Sequence, residues 1–426
     1  MKRNLSKVFF AIIITLLSLN MTSQAQYLWN SDSAFKAGAA NSGRIWGYVF
    51  GDYYAKAHSD SANRGGSNQY SGIPTNRTAF QFRRIYLGYD YNITNKFSAE
   101  LLLAAEDNFP TGNPTSNVAV AGNTPQSGAG DLTGDGKLTF YIKLANIRWK
   151  NIWKGTDLVI GQVATPAFPL LSEKIWAYRS IERTISDIRR TPSYDLGATL
   201  QGKFDAKGNY GYDLMVGNGS SAKPEADNFK WFYGDVWAMF MDKKLIVDLY
   251  GDYERLNWVP GYHHSRQMIK GYIAYNTPGL TVGVEGYVNN LKRDNFGTYK
   301  VPPAGGPAVD TMDAVAKGIS FYVHGNIIPS KLRFFARYDM FNPTNKVDNT
   351  TFSKLTANTG NYNDPYTKEN FITAGLDFTP AKNVHFMPNI WYNAYKGQSA
   401  AAIDGSKLKS DYDMVYRMTF YFVFGK

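Results

Sequence analysis

The feature that most limits how this chain can fold is a two-residue alternation, repeated in segments joined by connections of two unequal kinds. From Leu280 the sequence reads Leu-Thr-Val-Gly-Val-Glu-Gly-Tyr-Val-Asn, apolar or small at every second position with mostly polar residues between. That period places one residue set on each face of a strand. Such segments recur from Arg44–Tyr54, Ala79–Tyr91, Lys96–Glu106, Lys137–Trp149, Thr156–Val163 and Tyr194–Phe204 through to Val384–Tyr395 and Asp411–Phe424. They number about sixteen, each roughly ten residues long. The connections alternate between long polar stretches and turns of roughly two to six residues, the pattern of extracellular loops and periplasmic turns. An even strand number returns both ends of the wall to one side. Closure leaves no unpaired edge in a medium without water. A soluble sandwich or propeller has no reason for this alternation. The predicted class is all-β: a 16-stranded antiparallel transmembrane β-barrel over residues 44–426.

Composition fits a wall that is wet on one face. Aromatic residues make up 15% of the 426, with 30 Tyr, yet mean hydropathy is −0.35. Cysteine is absent, which removes disulfides, thiolate metal sites and thiol nucleophiles. At the amino end Lys2, Arg3 and Lys7 precede an apolar run from Val8 to Leu19, followed by Thr22-Ser23-Gln24-Ala25. The run is shorter than the roughly 20 residues of a spanning helix. The pattern is that of a secretory signal peptide, residues 1–25, cleaved after Ala25. Residues 26–43 then form a short periplasmic segment. The mature chain carries 43 basic and 35 acidic residues, a net of +8. Such an excess favours anions as a class.

Facing follows from the cost of placing charge in lipid, about 2–4 kcal/mol for Arg or Lys at mid-bilayer. Leu280, Val282, Val284, Gly286 and Val288 are therefore predicted to face out. Arg333, Arg337, Asp339, Asp248, Asp252, Glu254 and Arg417 are predicted to face in, with Arg84 among the inward wall positions. The last strand carries Phe420-Tyr421-Phe422-Val423-Phe424, an aromatic ending typical of proteins delivered to the barrel-assembly machinery. Outer-membrane lipids and that machinery are the partners this implies.

One connection stands apart. Between the segments ending near Val163 and beginning at Tyr194 lie about thirty residues rich in both ions and apolar anchors. They hold Lys174, Arg179, Arg183, Arg189 and Arg190, interleaved with Glu173, Glu182 and Asp187 and anchored by Phe168, Trp176 and Tyr178. A long loop with its own anchors packs onto something. Residues 164–192 are predicted to fold into the barrel as its constriction. Salt bridges pinning the loop to the wall are the competing reading for each arginine.

Gly161-Gln162, Pro166, Arg179-Ser180-Ile181-Glu182-Arg183 and Asp195-Leu196-Gly197 together resemble the phosphate-selective porin O and P family. Phe82-Arg83-Arg84-Ile85-Tyr86-Leu87-Gly88-Tyr89 resembles that family's early Arg-rich strand. The resemblance implies a homotrimeric porin whose third extracellular loop turns inward, with arginines on the wall and a lysine cluster at the constriction. This sequence departs from the last point, since the loop offers only Lys174.

Other motifs carry less. Asp131, Thr133 and Asp135 resemble the start of a Ca²⁺ loop, but Ile142 stands where the closing carboxylate belongs; a solvated turn is the expectation, and no metal site or cofactor is predicted. The five His are scattered, and no H-E-x-x-H, G-x-S-x-G or Walker A pattern occurs. His263-His264 is the one local candidate for an outer-membrane enzyme. The expectation is no enzyme and no nucleic-acid partner, but an outer-membrane porin passing small hydrophilic solutes with an anion preference, phosphate among them. A non-conducting structural or adhesion barrel is the other alternative.

Overall fold

The computed structural model describes residues 40–64, 70–106, 138–189, 192–225, 227–256, 263–357, 364–398 and 408–425. The signal-peptide assignment for 1–25 and most of the 26–43 segment lie outside these residues.

The wall opens with β1 (Ser42–His58), β2 (Thr78–Asn92), β3 (Phe97–Glu106), β4 (Tyr141–Trp153) and β5 (Thr156–Ala164). Two short helices follow, α1 (Ser172–Trp176) and α2 (Ile185–Arg189). Then come β6 (Tyr194–Lys203), β7 (Tyr210–Gly217), β8 (Trp231–Phe240), β9 (Leu245–Arg255) and β10 (Ser265–Asn276). Two long strands, β11 (Leu280–Tyr299) and β12 (Val309–Ile328), lead to β13 (Leu332–Asn342). The chain ends with β14 (Phe352–Ala357), β15 (Thr367–Ala381), β16 (Val384–Gly397) and β17 (Asp411–Phe424).

Each wall strand pairs antiparallel with its neighbours, and β1 pairs with both β2 and β17, so the sheet closes on itself. The closing ladder runs from Gly47 opposite Phe424 to His58 opposite Met414. Strand β14 is not part of the ring: β13 pairs directly with β15, while β14 pairs with the outer end of β11, Asn295–Tyr299. The wall is therefore a closed barrel of 16 antiparallel strands. Sequence periodicity, which reads segments at Leu280–Leu291 and Val315–Ile328, misses β14 and stops β11 short at Leu291. It also begins β12 at Val315, because the alternation continues past the apolar band into water, where hydropathy no longer marks a face. Likewise β4 is shifted toward its turn, to Tyr141–Trp153, since Trp149 and Trp153 both stay exposed at that rim.

Side chains alternate as the lipid argument requires. Val282, Val288, Leu249, Ile269, Phe321, Ile372, Tyr416 and Met418 are exposed on the outer face. Glu285, Asp248, Arg337, Asp339 and Arg417 are buried on the inner one. Among the bulges in the wall, two place a basic residue on the inner face. Phe50 lies opposite Arg84 and Gly51 opposite Phe82, leaving Arg83 as the extra residue of β2. Leu102 lies opposite Leu144 and Leu103 opposite Ile142, leaving Lys143 as the extra residue of β4. A bulge lets two consecutive side chains share a face. Arg83 and Arg84 are both buried inside, and Lys143 joins Leu144 on the inner side.

Gly161 explains part of the sequence pattern around it. Its φ is +127°, and a Cβ there would lie 2.3 Å from the Ala145 carbonyl oxygen. Glycine alone tolerates both, so β5 can approach β4 where the chain leaves the wall.

Candidate functional site

The β5–β6 connection is closed at its base and anchored far from it. The Thr165 amide donates to the Ser193 carbonyl at 3.1 Å, and the Thr165 hydroxyl donates to the Pro192 carbonyl at 2.6 Å. Helix α1 ends at Ala177, whose φ of 62° turns the chain as its amide closes on the Glu173 carbonyl at 2.8 Å. That reversal seats Trp176, 2% exposed, against Tyr322 of β12 (ring centroids 5.2 Å apart) and Phe335 of β13 (6.1 Å). Tyr178 lies 4.5 Å from the same Phe335 ring. His324 Nε2 donates to the Ile175 carbonyl at 3.0 Å.

Polar contacts reach other strands. On β11, Glu285 accepts from the Ser186 hydroxyl at 2.9 Å; on β13, Arg337 donates to the Arg183 carbonyl at 2.6 Å. Lys270 on β10 donates to the Ala167 carbonyl. From β2, Arg83 pairs with Glu182 at 2.7 Å and Arg84 pairs with it at 2.9 Å. Arg83 also donates to the Arg179 carbonyl and pairs with Asp52 of β1 at 2.7 Å. The connection thus touches inward-facing side chains of β2, β10, β11, β12 and β13, none adjacent to β5 or β6 in the ring.

Glu182 is the hinge of these charges. It lies outside the spanning strands, and burial alone would raise its pKa; Arg83 and Arg84 outweigh that and hold it at about 2. A carboxylate so placed stays ionised, and removing one partner of a buried pair costs about 3–5 kcal/mol.

Beneath the connection lies a cavity of about 320 Å³, on the side of the short turns. Five cations line it, Lys143, Arg148, Lys150, Lys174 and Arg179, against three carboxylates, Asp90, Glu100 and Glu173. Trp46, Tyr48 and Tyr194 supply ring faces. Arg179 lies 5.4 Å over the Tyr48 ring and is held by Glu173 at 2.8 Å. Lys143 pairs with Glu106 at 2.5 Å, and Arg148 with Asp157 at 3.0 Å. The electrostatic character is a modest positive excess spread among paired ions.

Of the candidate residues on the connection, Arg179 and Lys174 meet at this cavity. Arg183 instead faces Asp187 at 3.3 Å, one turn away on the same segment. Arg189 closes α2, while Arg190 and the Asp131, Thr133 and Asp135 motif lie outside the described residues. The wall positions Arg84, Arg333, Arg337 and Arg417 all face in as expected. They are packed under connections: Arg337 is clamped by Asp339 at 2.5 Å, and Arg417 donates to Asn389 at 2.8 Å beneath Tyr70. Arg333 donates to His324 Nδ1 at 3.2 Å. Sequence reasoning missed Arg83, Lys143, Lys270 and Glu285. For Arg83 a signal existed: two consecutive arginines in an alternating strand force either a charge into lipid or a bulge.

His264 is buried against Asp294 at 2.6 Å, and Arg266 grips the same carboxylate at 2.9 Å. His263 is exposed. No group of three or more His, Asp or Glu placed to hold a metal occurs among the described residues.

No family model matches the chain, and no curated protein matches it by sequence. Solved structures do match. An anion-selective porin from Comamonas acidovorans aligns over 90% of this chain and 100% of its own, with a TM-score of 0.54 at 12% identity. The outer-membrane channel DcaP of Acinetobacter baumannii aligns over 90% and 98%, with TM-score 0.54 at 10% identity. A trimer form of OmpT, an outer-membrane protein of Vibrio cholerae, aligns over 90% and 100%, with TM-score 0.50 at 10% identity. The fold is that of outer-membrane porins. At these identities the likeness is one of fold alone.

Proposed function

We propose that this chain is an outer-membrane porin through which small hydrophilic solutes diffuse passively, with residues 164–192 as the constriction and a mild preference for anions. The observation that carries the reading is the cavity under the connection, where five cations face three carboxylates. Rings of Arg and Lys at a constriction favour anions by charge without selecting one. Pairing of Arg179, Lys143 and Arg148 with acids makes the bias modest. Phosphate is the anion to test first because of the sequence resemblance, and the anion-selective relative of the same fold supports the sign.

In this reading the chain enters the periplasm with residues 1–25 as its leader. The barrel-assembly machinery inserts it, and it assembles as a homotrimer among outer-membrane lipids, as one neighbour of the same fold is described. Its role is passage rather than catalysis. The test is the reversal potential of single channels in a salt gradient: an anion-selective sign supports the reading, and a cation-selective sign overturns the preference. A non-conducting barrel is the alternative that the dense packing around Trp176 favours, and absence of conductance in planar bilayers would establish it.

A further inference from the structure

The outer face carries a row of cations at one end of the wall. Lys317 of β12 is exposed and lies directly opposite Asn342 of β13. Lys368 of β15 and Lys396 of β16, both exposed, are direct cross-strand partners. Since Phe341 pairs with Glu369, the next register position sets Asn342 beside Lys368. Lys317, Asn342, Lys368 and Lys396 therefore lie in one line across four wall strands, at the end of the barrel where the long connections emerge. Like charges directly opposite each other in a sheet repel. Lys317, Lys368 and Lys396 make no salt bridge to a described residue.

Below that line the wall is hollowed. Gly271 and Gly286 are direct partners on β10 and β11 and face outward. A Cβ at Gly271 would meet nothing within 4 Å, and one at Gly286 nothing nearer than 3.8 Å. The hollow amounts to about 660 Å³, with Ile269, Val288, Ile319 and Met340 at its sides and all three lysines on its rim. No carboxylate lines it.

The geometry points to a binding site for an anionic lipid of the outer-facing leaflet, its acyl chain in the glycine-floored hollow and its phosphate on the lysine row. Apolar sides fit hydrocarbon. The cations sit at headgroup height, where lysines attract the anionic groups of a lipid surface. A phosphate between Lys368 and Lys396 would also relieve their mutual repulsion. A second copy of this chain is the less suited occupant, because the rim offers lysines and no acid to complement them. The inference rests on the barrel spanning a membrane and is independent of what its interior conducts.

Native mass spectrometry of the purified full chain in detergent tests it, with diphosphoryl lipid A and phosphatidylcholine as probes. Lipid A should be retained at one per chain. The variant combining Lys317→Gln, Lys368→Gln and Lys396→Gln should raise its half-saturation concentration by about tenfold or more. Gly271→Leu fills the hollow without touching the lysines and should weaken retention too. If the triple variant loses its barrel, Gly271→Leu alone decides. Equal retention by the variants, or equal retention of phosphatidylcholine, overturns the site. Dissociation of an oligomer by Gly271→Leu would show that this face joins copies and would overturn it as well. Conductance of the same samples is read in parallel: its absence in the unsubstituted protein sinks the porin reading and leaves the lipid result standing.

Discussion

Glu182, carried by the connection between β5 and β6, sits 2.7 Å from the Arg83 guanidinium of β2, three strands away from β5 around the ring. Arg83 is the bulge residue of its strand and Glu182 the acid among the loop's arginines. Their pairing fixes where the loop can lie.

Glu182→Gln should therefore loosen the loop without opening the wall. The lost partner leaves Arg83 and Arg84 buried with less compensation, a cost of about 3–5 kcal/mol. The expected outcome in planar bilayers is a larger or noisier conductance, with the barrel still migrating as a folded species on unboiled gels. An unchanged trace would show that this pair does not position the loop.

The same carboxylate sets an acid limit. Its folded pKa of about 2 lies below the ordinary 4.5, so its contribution is complete above the ordinary value and lost as pH falls toward the folded one. Single-channel conductance should hold steady from neutral pH to about 5 and shift only in stronger acid. A transition between pH 6 and 8 would place control in another group.

Trp176→Ala removes the loop's principal apolar anchor. Truncating a buried Trp costs about 3–5 kcal/mol, and the rings of Tyr322 and Phe335 lose their partner. Limited proteolysis should gain a cut site within residues 165–189 while the barrel stays protected. Protection equal to the unsubstituted protein would mean that the polar contacts suffice.

Lys143→Glu and Arg179→Glu each reverse a charge at the cavity. Reversal potentials should shift toward cations, most in the double variant. Arg183→Glu, next to Asp187, should shift them least. No shift in any of the three would assign these residues to packing alone.

Leu249→Arg tests the facing of the wall. Leu249 is 55% exposed on β9, and Arg on the lipid face near mid-bilayer costs about 2–4 kcal/mol. Unfolding in urea should move to lower denaturant by a corresponding amount, whereas Arg337 on the inner face is accommodated by Asp339.

Much of the wall was legible because lipid enforces the period of two: Leu280 to Val288, Arg333, Arg337 and Arg417 take the faces that charge and hydropathy assign them. What sequence could not convey was pairing. Arg183 and Asp187 sit one turn apart, so their contact is local and was open to anticipation. The contacts of Lys270 with Ala167, Glu285 with Ser186 and Arg83 with Glu182 join residues about a hundred positions apart. Each depends on the closed ring bringing distant strands around one loop. Strand β14 escaped because six residues outside the membrane need no apolar face.

The bulges at Arg83 and Lys143 have a consequence for how such a wall can change. Substituting an inward residue exchanges one side chain for another, and shifting a strand by one position would turn its lipid face toward water. A single inserted residue does neither. It adds a side chain to the inner face and keeps Phe80 and Phe82 before it, and Leu87 and Tyr89 after it, in lipid. In this fold, one codon gained or lost changes the inner face by a single side chain and leaves the lipid face as it was.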